Sequence, residues 1–544
     1  MNRNPKRKRT GKKILAILLC IAFVATGCGS PQKAEESNKK AITVGISSDT
    51  GSMDPAGVIA LTFLSYSVTA LDELLTFDDD GNIEYRAAKS YEVNEEQTEW
   101  IFHLREEAKW SDGTPVCAKD FYNTMTRALN PSSGNGYANY LFPIQNAEAI
   151  YNGEKEMETL GVEMPDDYTL VFHLETPCVY FLDLLRLPVY LPSCEKYADS
   201  TSSGWEKNPE TSVANGPFCL GSYVPDQYFT LIKNDNYWNA DAIHLDQITY
   251  KFFSDQQSMA SAYETGEIDV ASSLPSYIME TYQGKEDLLV TNNIATRYIY
   301  PNLNCEALSD VRVRKAINLA LNREEICKVV GADTTPTVNL VAKYMKDKTT
   351  GNYFVDGSEP PFEENVEQAK QLLAEAGYPD GKGFPKLTYK YPSLETDSDA
   401  AQVIKEQLKK NLNIDIELQS QELQMNYADR RAGEFELCRM NWTADFADPN
   451  TYLSMLLSNS TYNCSGINDV DYDALVRASD TETDPQKRET LLHEAEKLAV
   501  GEQFYIIPLF STQSVNLIWP GIQGITQIPA TGALEFRLAD VSGQ

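Results

Sequence analysis

From residue 363 onward the chain settles into a regular alternation. The helix-like run VEQAKQLLAEAG leads through the turn YPDGKGFP to a strand KLTYKY, a helix SDAAQVIKEQLKKN, a strand LNIDIEL, a helix QMNYADRRAG and a strand EFELCRM. Short strands separated by helices of this length cannot be joined as hairpins, so they form right-handed βαβ units with parallel pairing. The fold class expected is therefore α/β. In such a sheet the loops after the strands gather along one edge, where open α/β sheets take their ligands. Those loops contain Asp397, then Leu423 and Tyr427, then Trp442 and Asp445.

The last of these loops, RRAGEFELCRMNWTADFADP at 430–449, carries the most chemistry. Phe435, Leu437 and Met440 read as a short apolar strand, followed directly by Trp442, Asp445, Phe446 and Asp448-Pro449. A carboxylate set between aromatic rings just past a buried strand is well placed to meet a cation. By residue type alone it can equally cap a turn or pair with Arg439. Asp448 and Pro449 read as the N-cap and first residue of a helix TYLSMLLSNS.

RMNWTADFADP, with Arg430 nine residues before Arg439, resembles the W-x-A-D-Y-x-(D/E)-P segment of oligopeptide-binding proteins, the extracytoplasmic receptors of ABC importers. The resemblance implies that Asp445 holds the α-ammonium of a bound peptide, with Trp442 and Phe446 beside it. Arg430 and Arg439 match arginines near the site in relatives, and two roles stay open: countering a ligand carboxylate, or holding Asp445 and Asp448.

WSDGTPVCAKDF at 110–121 is similar to the signature of family 5 solute-binding proteins over twelve positions, and reads physically as a turn feeding a helix Ala118–Leu129. By spacing from that signature, Tyr140 matches a tyrosine that borders the peptide in relatives; plugging a loop onto the core is the alternative. NDNYW, YETGEIDV and the run from Thr296 to Ile326 resemble further blocks of the family. In the last of these Asp310 reads as an N-cap, Arg312, Arg314 and Lys315 as a solvated basic face, and Tyr298 and Asn302 as facing a cleft. Leu423 and Asp397 depart from the pattern: relatives carry a Trp at the first position, and one carries a His that pairs with a peptide carboxylate at the second. Peptide length and sequence preference are thereby left open.

The fold the resemblance implies is periplasmic-binding-protein-like, type II, with two lobes, a hinge and an extra inserted domain. Its expected division is domain I at 41–74, 205–297 and 513–544, the inserted domain II at 75–204, and domain III at 298–512. FYIIPLFSTQSVNLIWPGIQG reads as a pair of strands returning to the first domain.

The N-terminus reads MNRNPKRKRTGKK, then ILAILLCIAFVA, then TGC, a secretory signal over residues 1–27. Ala25-Thr26-Gly27-Cys28 resembles a lipobox, implying lipidation at Cys28 and a membrane-anchored protein outside the cytoplasm, with 28–40 as a flexible tether. Seven of the 47 basic residues and no acidic residue lie in 1–27, leaving 40 basic against 79 acidic, a net of −39. That balance argues against nucleic acid as a partner. The roughly 515 remaining residues require two or three cores.

Eight cysteines beyond Cys20 and Cys28 include no C-x-x-C pair, and the DDDGN turn at 78–82 has Thr76 and Ala87 where an EF-hand needs its end ligands, so no metal or cofactor is expected. The four His sit in no nucleophile-bearing motif, which argues against an enzyme. The expectation is a monomeric receptor that captures oligopeptides for ABC permease subunits. The alternatives are another solute on the same fold (a metal chelate, an opine, an oligosaccharide) or a peptide sensor.

Overall fold

The computed structural model describes residues 39–47, 52–57, 64–78, 81–133, 135, 137–198, 204–346, 351–528 and 533–541. The expected secretory segment (1–27), Cys28 and nearly all of the expected tether lie outside them. Lys40, the tether's last expected residue, belongs to the folded body. Its N–H donates to the Asp246 carboxylate at 2.9 Å and its ammonium pairs with Asp540 at 2.6 Å.

Eleven strands form one mixed sheet: β1 (Ala41–Ile46), β2 (Phe218–Val224), β3 (Tyr228–Lys233), β4 (Gln247–Phe252), β5 (Val270–Ala271), β6 (Leu288–Pro301), β7 (Thr334–Pro336), β8 (Leu387–Pro392), β9 (Ile416–Gln421), β10 (Leu437–Thr443) and β11 (Ile507–Ile518). The order is β9-β8-β10-β6-β11-β5-β1-β4-β3-β2, with β7 on β11. As the alternation of helix and strand requires, β8 pairs in parallel with both β9 and β10. A separate four-stranded antiparallel sheet comprises Ala88–Val93, Glu99–Leu104, Thr169–His173 and Val162–Asp166.

The chain builds two lobes, each with its own core. One core gathers residues from Ile42 to Tyr250 with Ile522–Val541, and includes the four-stranded sheet. The other gathers Ile294 to Phe510. A small third cluster packs Met259 and Ile278 under Val515 and Leu517. Two strands run the length of this arrangement. β6 pairs with β10 and β11, and β11 pairs with β6 and then β5.

The expected pair of C-terminal strands is thus one strand of 12 residues followed by the two-residue Ile522–Gln523. The polar run Ser511–Ser514 continues the strand by pairing with Thr291–Thr296, in the stretch between the cores where a strand has less apolar surface to bury. There Asn292 faces Gln513 but Thr296 faces Ser511, so β6 carries two extra residues, a bulge that re-aims the groups beside it.

The segment that resembles the family 5 signature is a turn feeding a helix, as its residues suggest. Gly113 turns at φ 85, and the helix Ala118–Ala128 begins under Trp110, whose indole N–H donates to the Asp120 carboxylate at 3.0 Å. The Cys117 N–H donates to the same oxygen at 2.9 Å, and burial pushes the Asp120 carboxyl up. Trp110→Phe removes one of these donors from a buried acid and is expected to cost about 1–3 kcal/mol, read as a lower denaturant midpoint.

Arg314 corrects the expected solvated basic face. Asp310 caps the helix as expected, accepting from the Arg312 N–H at 2.8 Å, but Arg314 is buried and donates to the carbonyls of Leu308, Ser309, Gln503 and Phe504. Arg312 and Arg314, two positions apart, point to opposite sides of the helix, and the inward one fastens the loop behind Gly501.

Candidate functional site

β10 runs to Thr443, so Trp442 is on the strand rather than in the loop after it. The β6 bulge leaves the Ile294 carbonyl free to accept the Ala444 N–H at 2.8 Å and the Tyr452 hydroxyl at 2.5 Å. This fixes the turn that presents Asp445. Thr451 completes the mount, its hydroxyl oxygen accepting from the Asp445 N–H at 3.2 Å and lying 3.4 Å from the Trp442 indole nitrogen. Asp448 accepts from the Asn450 N–H at 2.9 Å, but the helix begins one residue later than expected, with Pro449 and not Asp448 at its N-cap and no side-chain cap. The expected long helix is a short one, Asn450–Leu453, followed by a 3₁₀ turn Ser454–Leu456.

The Asp445 carboxylate crosses to the opposite lobe, where the Tyr140 hydroxyl donates to it in a short hydrogen bond and Tyr137 also faces it. Among the described residues no cationic side chain pairs with it. Burial pushes its carboxyl up to about 6, against the two phenols that lower it. Burial foremost, and then the same negative charge, hold the Tyr140 phenol well above its ordinary value. Aromatic rings wall the site: Trp442 meets Tyr462 edge-on at 4.7 Å, and Phe446 meets Tyr140 edge-on at 5.8 Å. A half-buried carboxylate with donors but no counter-ion is chemically suited to an ammonium, which would supply both charge and N–H groups.

The other expected residues fall into different places. Asp397 lies in the first turn of the helix Glu395–Leu412, not in the loop, and is buried between Arg439, 2.9 Å away, and Arg297. Arg297 and Arg439 are diagonal neighbours on one face of β6 and β10. Burial and the second guanidinium bring the Arg297 pKa down to about 10, against the pull of Asp397. Arg439 therefore does not pair with Asp445.

Nor do the matched arginines hold Asp448, which takes both fork nitrogens of Arg488 at 2.8 Å each. Arg430 stacks its guanidinium over the Tyr427 ring at 4.9 Å, on the helix Leu423–Arg431. Tyr298 corrects the expectation of a cleft-facing ring. It is 0% exposed and points its hydroxyl at the Met455 sulfur, because its neighbour Arg297 takes the other face of the pleat. Asn302 is likewise buried, donating to the Gly433 and Phe435 carbonyls.

The family model for bacterial extracellular solute-binding proteins, family 5, middle region, matches residues 82–464. The chain belongs to that family. Over 520 residues it is 30% identical to the periplasmic oligopeptide-binding protein OppA of Haemophilus influenzae, covering 94% of this chain and 95% of that one. Over 483 residues it is 30% identical to the probable deoxycholate-binding periplasmic protein YgiS of Escherichia coli, covering 88% and 89%. The solved structure of Haemophilus influenzae OppA in complex with RPPGFSPFR superposes with a TM-score of 0.78 at 28% identity, over 93% of this chain and 99% of that chain.

Sequence reasoning did not find Tyr137, Thr451, Tyr462 or Arg297. Tyr137 was within reach, since it precedes Tyr140 in the same Gly-rich loop. Arg297 gave no local sign of the charge it would face 100 residues later.

Proposed function

We propose that this family 5 protein is the extracytoplasmic receptor of an ABC importer and takes oligopeptides between its lobes, with Asp445 as the anchor of the peptide's α-ammonium. The observation that carries the reading is Asp445 itself, a half-buried carboxylate that faces phenols of the opposite lobe and, among the described residues, no cation. An extended peptide can bind by main-chain hydrogen bonds regardless of its side chains, and a single charged end-group then fixes its register. Lobe closure by bending of β6 and β11 near the Asn292–Thr296 bulge would bury the ligand.

The rest of the reading follows from the sequence. A lipid on Cys28 anchors a monomer to the outer face of the membrane; the segment at 75–204 is an inserted domain; the protein binds without catalysis. An anionic ligand such as a bile acid is disfavoured, because its carboxylate would meet Asp445 in a low-dielectric site.

Native mass spectrometry of protein purified without denaturation tests the proposal. Co-purifying peptides of unchanged mass after incubation with a mixed peptide pool are the expected result. A ligand without a free amine, or a pool shortened by incubation, would overturn it.

A further inference from the structure

A second set of contacts bridges the lobes next to Asp445. Phe446 follows Asp445 in the chain, yet its side chain is seated in the opposite lobe's core at 4% exposure. It stacks on Tyr180 with ring centres 5.1 Å apart and planes 15° from parallel. The Tyr180 hydroxyl donates to the Asp480 carboxylate at 3.3 Å. Asn450 donates to the same oxygen in a short hydrogen bond, and to the Tyr180 hydroxyl at 3.2 Å. One tyrosine of the first lobe is thus held by a ring, an amide and an acid of the second.

The charges around Asp480 do not balance. Arg488 commits both fork nitrogens to Asp448 and its Nε–H to the Ser479 carbonyl at 2.9 Å. Arg477 turns to Asn459 at 3.1 Å. The Cys178 thiol, beside Tyr180, is itself pushed up by burial and by Asp480. With Asp448 and Arg488 neutralising each other, an ionised Asp480 is a half-buried charge with no ion pair among the described residues, which is costly. Burial foremost, with Asp448 adding to it and Arg488 opposing, pushes its carboxyl up to about 7.

We propose that Phe446, Asn450 and Asp480 grip Tyr180 as a proton-linked clasp, which holds the lobes closed and Asp445 in position, so that closing takes up a proton. These are positioning residues; none of them is asked to touch the ligand. The use of the clasp rests on the peptide-receptor reading, whereas its geometry does not.

In an open form Asp480 meets water and titrates in the ordinary carboxylate range, so the closed-to-open ratio of the ligand-free protein should fall about tenfold between pH 6 and pH 8. The ionisation of Asp445 adds about twofold in the same direction. Small-angle X-ray scattering of ligand-stripped protein reads this as a radius of gyration that grows from pH 6 to pH 8. Asp480→Asn, which keeps the shape and removes the charge, should stay compact at both. Tyr180→Ala, which removes ring and hydroxyl together, should be expanded even at pH 6.

Three results would each overturn the clasp: a wild type equally compact at both pH values, an Asp480→Asn protein that expands as the wild type does, or a compact Tyr180→Ala. None of these measurements uses a peptide. A failure of the ammonium assignment at Asp445 is read separately, by calorimetry with free and N-acetylated peptides.

Discussion

Replacing Asp445 by Asn should weaken the binding of a free-amine peptide by at least about 2 kcal/mol, roughly 30-fold, at pH 7.5. The substitution keeps the size of the side chain and its place under Tyr140, so the loss is that of the charge. N-acetylating the peptide removes the other member of the same pair and should cost the wild type a similar amount. The two losses should not add, because each deletes the same interaction. Isothermal titration of the four combinations reads this directly. Harmless acetylation would mean that Asp445 is not the anchor.

The pH dependence has a definite sign. Asp445 titrates near 6 in the folded, ligand-free protein and near its ordinary value of 3.8 when unfolded. Because the folded value is the higher one, ionisation works against the folded state. The stability this carboxyl leaves to the ligand-free protein is full below about pH 4 and falls by at most about 3 kcal/mol as pH rises through 6. A bound ammonium cancels that penalty and favours the ionised form. Peptide affinity should therefore decline on acidification below pH 6, where a proton must leave before the ammonium can pair, while Asp445→Asn should lose that dependence.

The parts legible in the sequence are those set by local pattern. Repeated helix and strand periods gave the parallel β8, β9 and β10, and the position of Asp445 past a buried strand marked an acid that pairs with no cation among the described residues. Asp310 was readable as a cap because capping involves only the next few residues, whereas Asp448 falls one residue short of the N-cap, which is Pro449. What escaped was decided across the chain. Tyr180 meets Asp480 at a separation of 300 residues, and Tyr140 meets Asp445 at 305. Arg314 differs from Arg312 only in which way its helix is turned. The middle of β11 is polar because the strand passes between cores there, a property of the lobes and not of the segment.

Asp397 is where a ligand role and a structural role separate most sharply. Its carboxyl group is buried between Arg297 and Arg439, and one oxygen has no hydrogen-bond partner among the described residues. Asp397→Ala would leave two guanidinium groups on adjacent strands of the sheet, buried and mutually repelling. Removing one partner of a buried ionic cluster costs about 3–5 kcal/mol, enough to lower the urea midpoint of that lobe well clear of error. Converting the cluster together, with Arg297→Met, Asp397→Leu and Arg439→Met, should recover most of the loss, because no charge is then stranded. Peptide affinity measured where each variant is still folded should change little, since the carboxylate is already spent on the two arginines. A single Asp397→Ala that loses under about 1 kcal/mol of stability but tenfold or more in affinity would reverse the assignment and make Asp397 a ligand contact.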